Sequence, residues 1–184
     1  MTESDRDRIF LLFALTESAG ALRALDEVER LAAVRERRTD TVEVRENGRV
    51  FDAIRSALQY AANVSKVFWP HSNAAARGEH LRTLTGIPDS HSLRNRALRN
   101  HVEHLDERLD DWTAESPRPF LTFELVWSPD LDANPNRREV ENSVAVIYNE
   151  SANEVRLFGE VFRLADLRAA LLDVQGNLST ALSA

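Results

Sequence analysis

Apolar residues recur every three or four positions through the first part of the chain, with charged residues between them. Phe10, Phe13, Leu22, Leu25, Val28 and Leu31 fall on one face of a helix predicted over residues 4–36, and Ser4 is a candidate cap. The period is lost at 41–50. There Val42 and Val44 alternate and Asn47-Gly48 is a strong turn signal, so a small hairpin or an extended loop is expected. A helical stripe returns over 50–68 with Phe51, Ile54, Leu58, Ala61 and Val67, and Pro70 stops it. A short helix is expected over 77–85, ended by Gly86 and Pro88. A long helix then starts near Ser90 or Ser92, with Leu98, Val102, Leu105, Leu109 and Trp112 as its buried stripe, and Ser116-Pro117-Arg118-Pro119 closes it.

Beyond that point the pattern changes. Residues 120–127, 143–148 and 155–162 read as strands, the last broken at Gly159, and 130–142 reads as a polar, proline-containing loop. A helix over 164–178 ends the pattern. The expected fold is mainly α: a helical bundle within residues 1–116, then a β-rich appendage over 117–184. The appendage holds a small antiparallel sheet and a terminal helix packed on the bundle. No internal repeat or low-complexity tract appears.

Composition narrows the function. With 184 residues, 43% hydrophobic and 29% charged, the chain has the make-up of a globular domain. It has no cysteine, which removes thiolate metal sites, disulfides and a cysteine nucleophile together. The opening Thr2-Glu3-Ser4-Asp5-Arg6-Asp7-Arg8 is unlike a basic leader, and the apolar run Ile9–Leu15 is too short to span a bilayer. A cytoplasmic location with no membrane partner is the expectation. A net charge of -7 argues against non-specific coating of nucleic acid. Lys66 is the only lysine, so nearly all positive charge is arginine, the side chain that grips phosphate in a bidentate way.

The informative stretch is Leu93-Arg94-Asn95-Arg96-Ala97-Leu98-Arg99-Asn100-His101-Val102-Glu103-His104. On a helix Asn100 and His104 lie one turn apart on a shared face. Arg99-Asn100-x-x-x-His104 resembles the signature of the HEPN family (higher eukaryote and prokaryote nucleotide-binding domains). The family's members are helical bundles, and many are metal-independent ribonucleases of toxin–antitoxin and phage-defence systems. The resemblance covers about residues 4–115; the tail from 119 has no counterpart in the minimal fold.

The resemblance implies that Arg99, Asn100 and His104 are catalytic and that two copies pair to form one composite cleft. It implies RNA as substrate, no cofactor, a homodimer and an antitoxin as a further partner. Arg96 and His101 form an overlapping pair of the same spacing, poorer because Ala97 follows the arginine, and are assigned to substrate binding. Where some HEPN toxins carry a modifiable tyrosine two residues after the histidine, this chain has Asp106.

The chemistry suits these residue types. Metal-free RNA cleavage needs a proton taken from the ribose 2′-hydroxyl and charge balanced on the phosphorane. Histidine titrates near neutrality, and a guanidinium carries a permanent charge with preorganised donors. Three other readings stand beside this one. The arginines and Glu103 can form a solvated face, with Arg99 paired to Glu103 and His104 partly buried beside Leu105. His101, His104, Glu103 and Glu107 can supply metal ligands, although Glu103 sits directly before His104 and not at the three-residue spacing of bundle metal sites. Finally, the same fold can serve as a non-catalytic binding module for a partner protein or nucleotide.

Overall fold

The computed structural model describes residues 2–36, 44–95, 99–100, 104–115, 124–127 and 135–183. Helix α1 spans Glu3–Glu36 and α2 spans Val44–Phe68. Both carry apolar residues at helical spacing, and these meet: Leu11, Ala14, Leu25 and Val28 of α1 share one buried cluster with Phe51, Ile54, Ala57, Leu58 and Val64 of α2. The pairing runs antiparallel. Asn63 donates to Glu17 at 2.7 Å, the Tyr60 ring covers Gly20, and Arg49 lies 3.8 Å from Glu27.

The start of α2 corrects the hairpin expected at 41–50. Asn47 and Gly48 lie inside the helix, while 41–43 fall outside the described residues. Glycine within a helix costs about 1 kcal/mol relative to alanine. Val50 and Phe51, fully buried against α1, outweigh that local preference.

Helix α3, Ala75–Thr85, crosses the end of α2 and stops at Gly86. It approaches closely at Gly78, where a Cβ would stand 2.6 Å from the Phe68 carbonyl oxygen and press on Pro70. After Pro88 the chain makes a 3₁₀ turn at Ser92–Arg94, and Asn95 then leaves helical geometry with ψ of 118°. Residues 99–100 are helical, and α4 covers Leu105–Glu115. The expected uninterrupted helix from Ser90 or Ser92 is therefore not formed.

Its expected buried stripe also needs correction. Leu98 and Val102 lie outside the described residues, Leu105 is 51% exposed, and no residue of α4 is buried. Trp112 is partly covered, edge-on to Phe158. The segment is rich in acids, and Asp106, Glu107, Asp110 and Asp111 are all exposed on α4. It lies on the surface as a result.

The tail forms a four-stranded sheet in the order β1-β2-β3-β4, with β1 Glu124–Trp127, β2 Val146–Asn149, β3 Glu154–Leu157 and β4 Glu160–Arg163. The sheet is mixed, not antiparallel as expected, because β1 pairs parallel to β2. A parallel pair needs a crossover of a dozen or more residues. The stretch read as a polar loop supplies it, and contains helix α5, Arg137–Asn142. The other pairs are antiparallel. The β3–β4 hairpin turns on Phe158 and Gly159, both with positive φ, so the break expected at Gly159 is a tight two-residue turn. Trp127, Val144 and Ile147 form a second small cluster with Val140 of α5. Val146, Tyr148 and Val155 join the main core.

Helix α6, Leu164–Ser183, buries Leu171, Val174 and Leu178 in that same core. Arg168 ties it to α1 through Asp26 at 2.7 Å and Glu29 at 3.0 Å. The molecule is thus mostly helical, and its terminal helix belongs to the same hydrophobic core as α1 and α2. Among the described residues, no helix is long and apolar enough to cross a membrane.

Candidate functional site

The C-terminal end of α2 organises the region around the motif. The last carbonyls of a helix lack intrahelical partners and carry the negative end of its dipole. Here two arginines reach them, and a third reaches the residue just beyond the helix. Arg77 donates to the Lys66 carbonyl at 3.4 Å, Arg82 to that of Phe68, and Arg99 Nη1 to that of Trp69 at 3.0 Å. Much of the arginine in this part of the sequence therefore closes a helix end.

Arg99 is 3% exposed, which overturns the alternative reading that placed it on a solvated face. Its partner explains why: the guanidinium must turn inward to reach Trp69. Asn100 is half-buried, and its carbonyl accepts the His104 N–H at 2.9 Å. The His104 carbonyl in turn accepts from Arg108 at 3.0 Å, at the entry to α4. The His104 ring is 52% exposed, with Nδ1 3.6 Å from Glu107 Oε2. The motif therefore divides, with its arginine inside and its histidine at the surface. Arg96, His101 and Glu103 lie outside the described residues, so the substrate-binding pair, the proposed Arg99–Glu103 contact and half of the metal-ligand set have no described position.

Arg99 lines a pocket of about 220 Å³. Ser65 of α2 and Arg99 lie deep in it, Ser92 and Asn95 come from the turn before the motif, and Arg163 and Asp166 from the β4–α6 junction. Sequence reasoning placed no functional residue in the tail, and nothing in the period or composition of 160–170 marks it as a pocket wall.

His91 was also missed. Its ring stacks on Trp69 at 5.8 Å and 16°, Nδ1 accepts the Leu93 N–H at 3.2 Å, and Nε2 lies 3.3 Å from Asp173. Burial pushes its pKa below the ordinary value, against the opposing pull of Asp173. The neutral ring with its proton on Nε2 fits both contacts. His91 thus joins α2, the turn before the motif and α6. His80 bonds Asp7 at 2.8 Å and His71 is exposed. Among the described residues, no group of three or more His, Asp or Glu side chains is placed to hold a metal ion.

No family model, no curated protein and no solved structure matches this chain.

Proposed function

We propose that the chain is a metal-independent endoribonuclease of HEPN type, a cytoplasmic toxin or defence effector that works as a homodimer and is restrained by an antitoxin. The observation that carries this reading is the half-exposed His104, its N–H bonded to the Asn100 carbonyl, on the stretch whose Arg99-Asn100-x-x-x-His104 pattern resembles the family signature. His104 removes the proton of a ribose 2′-hydroxyl. The 2′-oxygen attacks the adjacent phosphorus, and the 5′-oxygen leaves with a proton, supplied by the second copy's histidine or by water. Arg99 balances the phosphorane charge. Its guanidinium is buried and lines a pocket whose lining does not include His104, so this reading requires the composite cleft of the dimer to bring a histidine to the phosphate there.

The test is incubation of purified protein with RNA in chelator, followed by analysis of the new ends. Attack by the 2′-oxygen leaves a 2′,3′-cyclic phosphate, and a single 2′-deoxy sugar at the cut position blocks cleavage there. Cutting that ignores the 2′-deoxy substitution contradicts the mechanism.

A second reading is favoured by the inward turn of Arg99, which serves the Trp69 carbonyl. In that reading the fold is a non-catalytic module binding a partner protein or nucleotide, and purified protein leaves RNA intact under every condition.

A further inference from the structure

The pocket around Arg99 is assembled from four separate parts of the chain, and its polar groups are graded from floor to rim. Arg99 and Ser65 are 3% and 4% exposed, while Arg163 and Asp166 stand exposed at the mouth. Arg163 bonds Glu154 through Nε at 3.0 Å, which leaves its Nη groups as the donors nearest to solvent. Two guanidiniums line the pocket beside two carboxylates, Asp166 on the wall and Glu154 paired to the Arg163 Nε, and Ser92 adds a hydroxyl.

We propose that this pocket binds a small phosphomonoester of a hydroxylated alcohol, a sugar phosphate being the type. The Arg163 Nη edge matches phosphate oxygens, the buried Arg99 adds positive charge at the floor, and the serine hydroxyls add neutral donors. Asp166 repels a bare anion but accepts from sugar hydroxyls, so it selects the alcohol part as the arginines select the phosphate. At about 220 Å³ the space is below the range of drug-sized ligand sites, which sets the ligand as small. The β4–α6 wall is essential to the site, which gives the tail a role the minimal helical bundle does not supply. The site is the pocket that the proposed function uses to bring phosphate to Arg99, but the inference concerns a small ligand and is read by binding, so it holds or fails separately from RNA cleavage.

The test is calorimetric titration of the full chain with ribose 5-phosphate, inorganic phosphate and ribose, read as binding and not as activity. Ribose 5-phosphate is expected to bind saturably with one site per chain, at least about tenfold more tightly than inorganic phosphate, and ribose not at all. Arg163→Ala changes an exposed rim residue outside the core and is expected to weaken ribose 5-phosphate by about tenfold or more. Asp166→Asn is expected to shrink the preference for ribose 5-phosphate over inorganic phosphate. Ser65→Ala provides an independent probe at the floor and is expected to weaken binding as well. Three results overturn the proposal: no saturable binding of ribose 5-phosphate up to about 10 mM, inorganic phosphate binding more tightly than the sugar phosphate, or affinity unchanged in both Arg163→Ala and Ser65→Ala.

Discussion

Replacing Arg99 with alanine separates a surface arginine from one built into the fold. The substitution removes a charged donor from the Trp69 carbonyl and strips a nearly fully buried side chain from its place against the end of α2. A hydrogen bond from a charged group contributes about 1.5–3 kcal/mol, and a buried carbonyl left without its donor carries a desolvation penalty of similar size that overlaps it. The aliphatic stem adds lost packing, whereas relief of the buried cation's own desolvation acts in the opposite direction. The net expected loss is about 2–4 kcal/mol. At the 2–4 °C per kcal/mol typical of a chain this size, the midpoint falls by roughly 5–15 °C. Urea and thermal unfolding followed by circular dichroism read this directly. Arg99→Lys, which keeps a cationic donor but not the planar fork, is expected to fall between parent and alanine. A loss below about 0.5 kcal/mol in Arg99→Ala, the size of an ordinary surface change, refutes the buried role.

Other consequences follow from the same geometry. His91 has a native pKa below its ordinary 6.5, so the unfolded chain takes up more protons as pH falls. Its contribution is complete above 6.5 and is lost as pH drops from there toward the lowered native value; urea midpoints should fall on acidification, less so in His91→Gln, and equal pH slopes in both proteins contradict this. Gly78→Ala places a Cβ 2.6 Å from the Phe68 carbonyl oxygen, and should destabilise by about 1–3 kcal/mol in urea unfolding; a neutral result means α3 sits farther from α2. Sedimentation at micromolar concentration should show a dimer, and a strict monomer removes the composite cleft.

The helices were legible where an amphipathic face is buried in the common core. The period of Leu22, Leu25, Val28 and Leu31 recurs in α1, and the stripe of Phe51, Ile54 and Leu58 recurs in α2, because both faces are buried against each other. At 44–48 a local turn signal was overruled by a helix whose Val50 and Phe51 are buried in a core that a short window cannot contain. The parallel β1–β2 pair was hidden for a related reason, since strand direction is set by the connection and that connection reads as polar loop. At the candidate site, residue type and spacing singled out Arg99 and His104. They could not show that the Trp69 carbonyl draws the arginine inward. Nor could they find His91 or the Arg163–Asp166 wall, which depend on segments brought together only by the fold.

The most direct test of the functional account is RNA cleavage by His104→Ala measured beside the parent in chelator. His104 is half exposed and α4 contributes no buried residue, so the variant should unfold within about 1 kcal/mol of the parent. The account predicts that the parent cuts RNA and that His104→Ala is slower by roughly a hundredfold or more, as expected for loss of a general acid or base. Equal cleavage by the two proteins, or a parent that leaves RNA intact, contradicts it.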